Sequence, residues 1–358
     1  MSYFLLLLVV VLFVNMSGGS KIIRQYCCVK KGYILIFLSL LMIVGFRSMN
    51  VGTDTISYVS EFLGESKGNI SGWGKLFTEY SEPLYILLLE FCKSITDNYT
   101  IFLTIFGIPI TLGFAIYIKR YSDDYMLSTL LFILLGILGF CMAGMRQSIS
   151  LGLSLFAYQF VKDRKIIPFL LCCIIAFGFH NSSLVFLFIY PISYFKKIDY
   201  KWWILIFAAF VIGITKNSVV MRVASIFFTQ DRYNIYGSSY TSSLNYTMLI
   251  IQVGLLIFCY INKSTVLEDD ENNAILYSMA FIGIIFQCFT PILGEFFRLS
   301  LFFSASFCIL VPKVIYLLED NRIRVLSYFF ISGVSVFYIF FGSSSIARIY
   351  VPFWRMVL

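Results

Sequence analysis

The sequence predicts an all-α protein that crosses a membrane about twelve times, with one further short helix at the membrane surface. Of its 358 residues, 59% are hydrophobic and only 13% are charged, whereas soluble domains carry about 25% charged residues. The mean hydropathy is +0.87, so the apolar residues are too numerous for a single soluble core. They fall in runs separated by short polar clusters, which is the pattern of a polytopic membrane protein.

The apolar runs predict helices in chain order. A membrane span needs about 20 apolar residues, and the shorter runs must tilt or thin the bilayer to cross it. The run from Pro83 to Cys92 is too short and contains Glu90, so it predicts an interfacial or re-entrant helix. We expect one transmembrane domain over residues 1–358. The predicted spans lie near residues 2–16, 32–46, 99–118, 125–143, 146–161, 166–179, 181–195, 202–215, 244–261, 274–292, 297–317 and 325–341.

Lysine and arginine in the short loops predict the orientation, because positively charged loops stay in the cytoplasm. Segment 21–31 has four basic residues and no acidic one, which places the N-terminus outside. Sixteen of the 27 basic residues then lie inside, and the eleven outside are not explained by sorting. Two long outer, periplasmic segments are predicted at 47–98 and 216–243. The predicted cytoplasmic loops are 21–31, 119–124, 162–165, 196–201, 262–273 and 318–324.

His180 is the only histidine of the chain and lies at a predicted turn on the outer face. It precedes Asn181, Ser182 and Ser183, so one interpretation is a hydrogen-bonded histidine in a capped helix turn. The other is a general base, because a neutral imidazole can accept a proton from a hydroxyl near neutral pH. The sequence leaves both interpretations open.

Two arginines, Arg146 and Arg298, each begin a predicted span on the same outer face. Arg146 could simply extend to the lipid headgroups, and Arg298 could pair with Glu295 one helical turn away. Alternatively, both arginines are candidates for a pyrophosphate clamp, because a guanidinium can form bidentate hydrogen bonds with phosphate. Arg47 and Arg222 are further candidates for it.

Asp54 follows a span in the sequence Gly52-Thr53-Asp54. It is either the N-cap of an ordinary turn or a functional carboxylate that acts as the base, orients the base or holds a sugar hydroxyl. The aromatic residues near 216–243, including Tyr236, suit a saccharide-facing loop and equally an interfacial aromatic belt.

Several kinds of function are disfavoured by what the sequence lacks. It has no P-loop, dinucleotide-binding fingerprint, HExxH or GxSxG motif. Both acidic pairs, Asp123-Asp124 and Asp269-Asp270, fall in predicted cytoplasmic segments, so we expect no metal site and no cofactor on the outer face. The positive charge is spread over membrane-flanking loops, which does not favour nucleic-acid binding.

Short motifs occur in a fixed order on the predicted outer face. They are NVGTDT followed by Tyr58, EPLY beginning at Glu82, GMRQ containing Arg146, FxHNSS containing His180 and FFRLS containing Arg298. In their order, spacing and sidedness the chain resembles the EpsG family of Wzy-type polymerases of bacterial O-antigen, capsule and exopolysaccharide. The resemblance runs from about residue 30 to residue 345.

This resemblance implies a glycosyltransferase of the bacterial inner membrane whose active face is periplasmic. It would join oligosaccharide repeats carried on undecaprenyl pyrophosphate, without a metal and with inversion at the anomeric carbon. The implied partners are the lipid-linked donor and acceptor, membrane lipid and a chain-length regulator protein. His180 would accept the proton, Asp54 would position the acceptor or the base, and Arg146 and Arg298 would hold the pyrophosphate. The implied glycan contacts are Tyr58, Glu82, Gln147, Asn181 and Tyr236.

Three other activities remain open from the sequence: an O-antigen ligase, a flippase for lipid-linked sugars and a membrane-bound acyltransferase. A ligase is expected to have a larger outer domain. A flippase is expected to have ionisable residues at mid-membrane depth and an internal repeat, neither of which is clear here. An acyltransferase shares the single histidine but needs an acyl donor that reaches it.

Overall fold

The computed structural model describes residues 32–65, 82–215, 246–341 and 350–353. Within these ranges the regular secondary structure is helical and the only β feature is one isolated bridge, which confirms the predicted all-α class. The chain divides into two units, Met1–Leu187 with Leu318–Leu358 and Phe188–Leu317, and each is described by itself.

The described helices are numbered α1 to α16 in chain order. In the first unit they are α1 Gly32–Gly45, α2 Thr55–Phe62, α3 Pro83–Ile95, α4 Tyr99–Tyr121, α5 Tyr125–Leu134, α6 Ile137–Ala143, α7 Met145–Lys162, α8 Ile166–Phe179 and, near the C-terminus, α16 Asn321–Phe341. In the second unit they are α9 Ile189–Ile192, α10 Lys201–Ile214, α11 Tyr246–Ile261, α12 Lys263–Asp269, α13 Ala274–Cys288, α14 Glu295–Ser304 and α15 Phe307–Leu317. Short 3₁₀ helices occur at Asn181–Phe188 and Glu271–Asn273.

Fewer helices pass a length and composition test for membrane spans than the twelve spans that the sequence predicts. Among the described residues three helices are long and apolar enough to cross a membrane, or five if each bent pair forms one span. Other apolar helices, such as α1, α8 and α10, have 14 residues each, which is short of the roughly 20 that a straight span needs. The predicted total of twelve spans therefore stays a prediction, and its first span, 2–16, lies outside the described residues.

The outward faces of several helices are strongly apolar. On α16 the side chains of Leu326, Phe329, Phe330 and Phe337 are all at least 65% exposed. Such a continuous apolar surface is unfavourable in water and suits contact with lipid. The apolar helices thus support a membrane protein.

Helix α4 begins and ends with recognisable signals. The Asn98 side chain accepts a hydrogen bond from the backbone N–H of Thr100 at 2.8 Å, which satisfies one of the unpaired donors of the first turn. Lys119 and Arg120 lie in its last turn, where positive charge interacts favourably with the helix dipole.

Helices α4 and α7 approach closely at two glycines. A Cβ added to Gly113 would lie 2.3 Å from the carbonyl oxygen of Gly152, and one added to Gly152 would lie 2.3 Å from the carbonyl oxygen of Pro109. Small residues permit such backbone contact between membrane helices. Two residues before Gly152, Ser150 Oγ donates to the Ala176 carbonyl of α8 at 2.7 Å. Helix α7 is therefore fixed against both α4 and α8.

This packing predicts that Gly152→Ala destabilises the protein by about 1–3 kcal/mol, because the added methyl group has no space. The matched control is Gly333→Ala in α16, where an added Cβ meets no atom within 4 Å. Alanine there should raise stability by about 0.5–1 kcal/mol through its higher helix propensity. Thermal unfolding midpoints in detergent measure both changes, and equal shifts in the two variants would contradict the proposed close contact.

The C-terminal segment 350–353 pairs with the residues that follow α1. Ser48 N–H donates to the Val351 carbonyl at 2.7 Å, and Phe353 N–H donates to the Phe46 carbonyl at 3.0 Å. The Phe46 and Phe353 rings meet edge to face with centroids 5.9 Å apart. The C-terminal segment thus lies beside the start of the predicted outer segment 47–98.

Candidate active site

A buried carboxylate, that of Glu82, joins the two most suggestive residues of the sequence. Its Oε1 lies 2.5 Å from Nδ1 of His180, and its Oε2 accepts a hydrogen bond from Nη1 of Arg146 at 2.6 Å. The Glu82 side chain is 5% exposed, compared with 14% for His180 and 29% for Arg146. The carboxylate therefore lies behind an imidazole and a guanidinium that both reach the surface.

The position of His180 follows from the end of α8. Its backbone N–H donates to the Ala176 carbonyl at 3.0 Å as the C-cap, and its extended backbone then leads into the 3₁₀ helix. A Cβ added to Gly178 would lie 2.7 Å from side-chain atoms of Leu84, so α8 packs directly on the start of α3. Glu82 immediately precedes that helix, which explains how the two side chains meet.

Arg146 lies in the first turn of α7, and two tyrosines fix its orientation. Its Nε donates to the Tyr58 hydroxyl at 3.3 Å, and its guanidinium carbon lies 5.6 Å and 5.3 Å from the ring centres of Tyr58 and Tyr85. The Tyr85 hydroxyl in turn donates to Glu61 at 2.7 Å. Stacking of this kind restricts the guanidinium while its charge remains available.

Glu82 stays ionised despite its burial. Burial alone would raise the pKa of the Glu82 carboxyl, but the hydrogen bond with His180, the positive charge that His180 carries when it is protonated and the positive charge of Arg146 lower that pKa below its ordinary value. A carboxylate ionised at neutral pH can only accept hydrogen bonds, and both of its oxygens accept from these two residues.

This arrangement can support proton transfer next to a developing negative charge. An imidazole held by a carboxylate is a common general base, and a neighbouring arginine can stabilise an anion that forms during the reaction. Among the described residues, no group of three or more His, Cys, Asp and Glu side chains is placed to hold a metal ion.

The structure thus brings together four of the residues singled out from the sequence: Tyr58, Glu82, Arg146 and His180. Two of them have contacts that the sequence did not suggest. Glu82 and Tyr58 were predicted as glycan contacts, whereas in the structure the Glu82 oxygens bind protein groups and the Tyr58 hydroxyl accepts from Arg146.

Of the other predicted residues in this unit, Asn181 is exposed beside His180 and Gln147 is buried in α7. Asp54 occupies the N-cap position of α2, where its side chain makes no capping hydrogen bond. Its backbone carbonyl accepts from the Tyr58 N–H at 3.2 Å. Asp54 therefore lies one helical turn from Tyr58, at the N-cap position but without the capping hydrogen bond, and its role stays a prediction.

Arg47 is entirely buried, which the sequence did not suggest. Its Nη1 donates to the Val44 carbonyl, while Nε and Nη2 have no hydrogen-bond partner in the part of the chain that the structure describes. Burial lowers the pKa of Arg47 to about 10, so the guanidinium is still charged at neutral pH. The predicted pyrophosphate contact at Arg47 is closed to solvent in this conformation.

Because burying a charge costs free energy that only good partners offset, Arg47→Met should leave stability unchanged or raise it by about 1–4 kcal/mol. The apolar side chain fills a similar volume without the desolvation cost. The control is Lys93→Met, which removes a partly exposed ion pair with Glu90 at 3.1 Å and should change stability by less than about 0.5 kcal/mol. Thermal unfolding in detergent measures both variants, and a lower midpoint for Arg47→Met alone would show that this guanidinium stabilises the fold.

The remaining candidates lie elsewhere. Arg298 belongs to the second unit, where its Nε lies 3.3 Å from Oε2 of Glu295, the pairing that its spacing allowed. Arg222 and Tyr236 lie outside the described residues.

Comparison with known proteins settles the family. The EpsG family model matches residues 31–354, which is nearly the whole chain. The chain belongs to the EpsG family. Membership indicates a membrane protein with a glycosyltransferase-like, polysaccharide-polymerase function, and it confirms the resemblance found in the motifs. Neither curated proteins nor solved structures give this EpsG protein a match.

Sequence reasoning missed two features of the EpsG site: the bridging position of Glu82 and the supporting role of Glu61. A signal for the first was present. Glu82 directly precedes Pro83, which begins α3, and proline is favoured at the first helical position. A carboxylate fixed at a helix start was therefore predictable, but its partners were not.

Proposed function

We propose that this EpsG protein polymerises a surface polysaccharide on the outer leaflet of the bacterial inner membrane. The donor is a growing glycan on undecaprenyl pyrophosphate, and the acceptor is the next lipid-linked oligosaccharide repeat. The observation that carries the proposal is that His180 and Arg146 share the carboxylate of Glu82 at 2.5 Å and 2.6 Å. A proton acceptor and a fixed cation are thus held together, as transfer to a hydroxyl with loss of a pyrophosphate requires.

In the proposed reaction, His180 accepts the proton of an acceptor hydroxyl as its oxygen attacks the anomeric carbon of the donor. The bond from that carbon to the pyrophosphate oxygen breaks, and undecaprenyl pyrophosphate leaves with the bonding electrons. Arg146 stabilises the negative charge that develops on the leaving oxygen, and the imidazolium then loses its proton to solvent or to the pyrophosphate. A single displacement inverts the anomeric centre.

Other proposed contributions come from residues away from the cluster. Arg298 and Arg222 are the further candidates for the pyrophosphate, whereas Arg47 is buried and is no longer a candidate. Asp54, Asn181 and Tyr236 are the candidates for the acceptor side, whereas Gln147 is buried. Because the donor is already activated, the reaction needs no nucleotide, and arginine supplies the positive charge that a metal ion supplies in other transferases. A separate chain-length regulator remains the proposed protein partner.

The proposed membrane arrangement has twelve spans with the cluster on the periplasmic side. It is supported by the basic loops, which the positive-inside rule assigns to the cytoplasm, and by the apolar outward faces of helices such as α8 and α16. The cluster lies at the starts of α3 and α7 and the end of α8, all of which fall on the predicted outer side.

Deletion of the gene in its host tests the function through the size of the surface glycan. A polymerase deletion leaves single repeats, loss of all surface glycan indicates a ligase or a flippase, and unchanged length with altered charge indicates acyl transfer. Only the first result supports the proposal, and the other two overturn it.

The deletion strain also supplies the substrate for a direct assay, because it accumulates the lipid-linked repeats that the enzyme would consume. Purified protein in lipid nanodiscs should convert these repeats into a ladder of longer glycans and release undecaprenyl pyrophosphate. The purified protein must also restore polymer when it is expressed in the deletion strain. If it does so but forms no ladder in nanodiscs, another component carries the transferase activity.

A further inference from the structure

We propose that Glu82 is a positioning residue: it accepts the Nδ1 proton of neutral His180 and so holds the imidazole in the tautomer whose Nε2 is unprotonated. Arg146, on the other oxygen of the same carboxylate, keeps Glu82 in its accepting form. The identity of the basic nitrogen is thus determined by a residue behind the imidazole.

The hydrogen-bonding capacity of each group determines where the ring proton lies. An ionised carboxylate has no proton to donate, so the 2.5 Å contact between Glu82 Oε1 and His180 Nδ1 requires the proton to be on Nδ1. Neutral imidazole carries one ring proton. Nε2 is then the acceptor, and it is the nitrogen left for a substrate hydroxyl.

Arg146 keeps Glu82 ionised and therefore able to accept this proton. The carboxylate is nearly inaccessible to water, and a buried carboxylate without a cation takes up a proton instead. Arg146 contacts it at 2.6 Å and is itself held by Tyr58 and Tyr85. A protonated Glu82 could donate to Nδ1, which would move the imidazole proton to Nε2 and remove the base.

The contact with Arg146 also determines how a glutamine amide would be oriented at position 82. A guanidinium has only donors, so in Glu82→Gln the amide oxygen should face Arg146 and the amide NH₂ should face His180. The NH₂ then donates to Nδ1, and the ring proton moves to Nε2. Replacing one carboxylate oxygen by an NH₂ group in Glu82→Gln should therefore reverse the tautomer of His180 without changing the shape of the site.

The single histidine of the chain makes this inference directly measurable. Protein labelled with ¹⁵N-histidine in nanodiscs gives one imidazole spin system, and long-range ¹H–¹⁵N correlations at a pH where the ring is neutral distinguish the two tautomers. We expect protonated Nδ1 in the wild-type protein and protonated Nε2 in Glu82→Gln. The matched control is Glu90→Gln in α3, the helix that Glu82 precedes. The Glu90 side chain pairs with Lys93 at 3.1 Å, and this variant should keep the wild-type tautomer.

The wild-type spectrum alone decides the first half of the proposal, even if Glu82→Gln fails to fold. A wild-type ring protonated at Nε2 overturns it, and so does a wild-type ring that carries both protons at the pH of the polymer assay. Unchanged tautomers in wild type and folded Glu82→Gln overturn the assignment to Glu82.

In the polymer assay, which rests on the proposed function, Glu82→Gln should lower kcat on the order of 10³–10⁴-fold with little change in KM, by analogy with a wrong-tautomer triad. If Glu82→Gln reverses the tautomer but the wild-type protein forms no polymer, the inference about Glu82 holds and the proposed function is rejected.

Discussion

Replacement of His180 by glutamine is expected to abolish polymer formation while the protein stays in the membrane at its normal level. The glutamine amide can still donate to the Glu82 carboxylate, which His180 contacts at 2.5 Å, so the buried charge keeps a partner. What is lost is a group that accepts a proton near neutral pH, and general base catalysis of this kind contributes about 10²–10⁴-fold in rate. Initial rates of ladder formation from lipid-linked repeats measure the loss.

The control for this experiment is Glu90→Gln, which changes a carboxylate on the same predicted face without touching the cluster. It should retain the wild-type rate. If His180→Gln polymerises within about threefold of wild type, the general-base contribution is absent and His180 is a turn residue. Asp54 then becomes the candidate base, and Asp54→Asn is the variant that tests it.

The sequence predicted the helical class and one pair of site residues for clear physical reasons. Long continuous apolar runs predict helices in lipid, because the strands of membrane barrels alternate apolar and polar residues. The position of His180 and Arg146 on the same face follows from counting spans with the positive-inside rule. Their direct connection could not be derived in this way. Glu82 is 64 residues from Arg146 and 98 from His180. The packing of Gly178 against Leu84 brings the His180 segment to Glu82, and the packing of Met145 in one core cluster with Tyr58 and Tyr85 brings Arg146 to it.

Arg47 shows a second limit of sequence reasoning. Its position directly after an apolar run makes Arg47 a candidate pyrophosphate contact on the outer face. In the structure the segment containing Val351 and Pro352 pairs with the backbone at Arg47, and the guanidinium is closed in. A contact between residues some 300 positions apart leaves no trace in local hydrophobicity or charge.

The number of spans is hard to predict because several apolar helices are short. Helices of 14 apolar residues such as α1 and α8 have a composition suited to lipid and a length that suits a buried helix equally well. Composition therefore predicts the environment of such a helix better than it predicts whether the helix crosses the bilayer.

Removal of Arg146 is expected to have two separable effects. In Arg146→Ala the loss of a charge that stabilises the leaving pyrophosphate should slow the reaction about 10²–10³-fold, the range found for removal of a single oxyanion donor. The same change leaves Glu82 buried without its cation, which should destabilise the fold by about 3–5 kcal/mol. Arg146→Lys keeps a charge near Glu82 but lacks the planar fork and the stacking between Tyr58 and Tyr85. It should therefore be the more stable variant, with a rate still far below wild type.

A double-mutant cycle with Glu82→Gln distinguishes a direct role of Arg146 from one exerted through Glu82. If Arg146 acts only by keeping Glu82 ionised, Arg146→Ala should cause no further loss of rate once position 82 is glutamine. If it also binds the leaving group, a further loss of about 10²-fold should remain, because that interaction does not depend on the carboxylate. The rates of the four proteins, compared at equal amounts of folded protein in nanodiscs, give the answer. We expect the second result, since Arg146 is far more exposed than Glu82 and its guanidinium reaches the surface from which a substrate must approach.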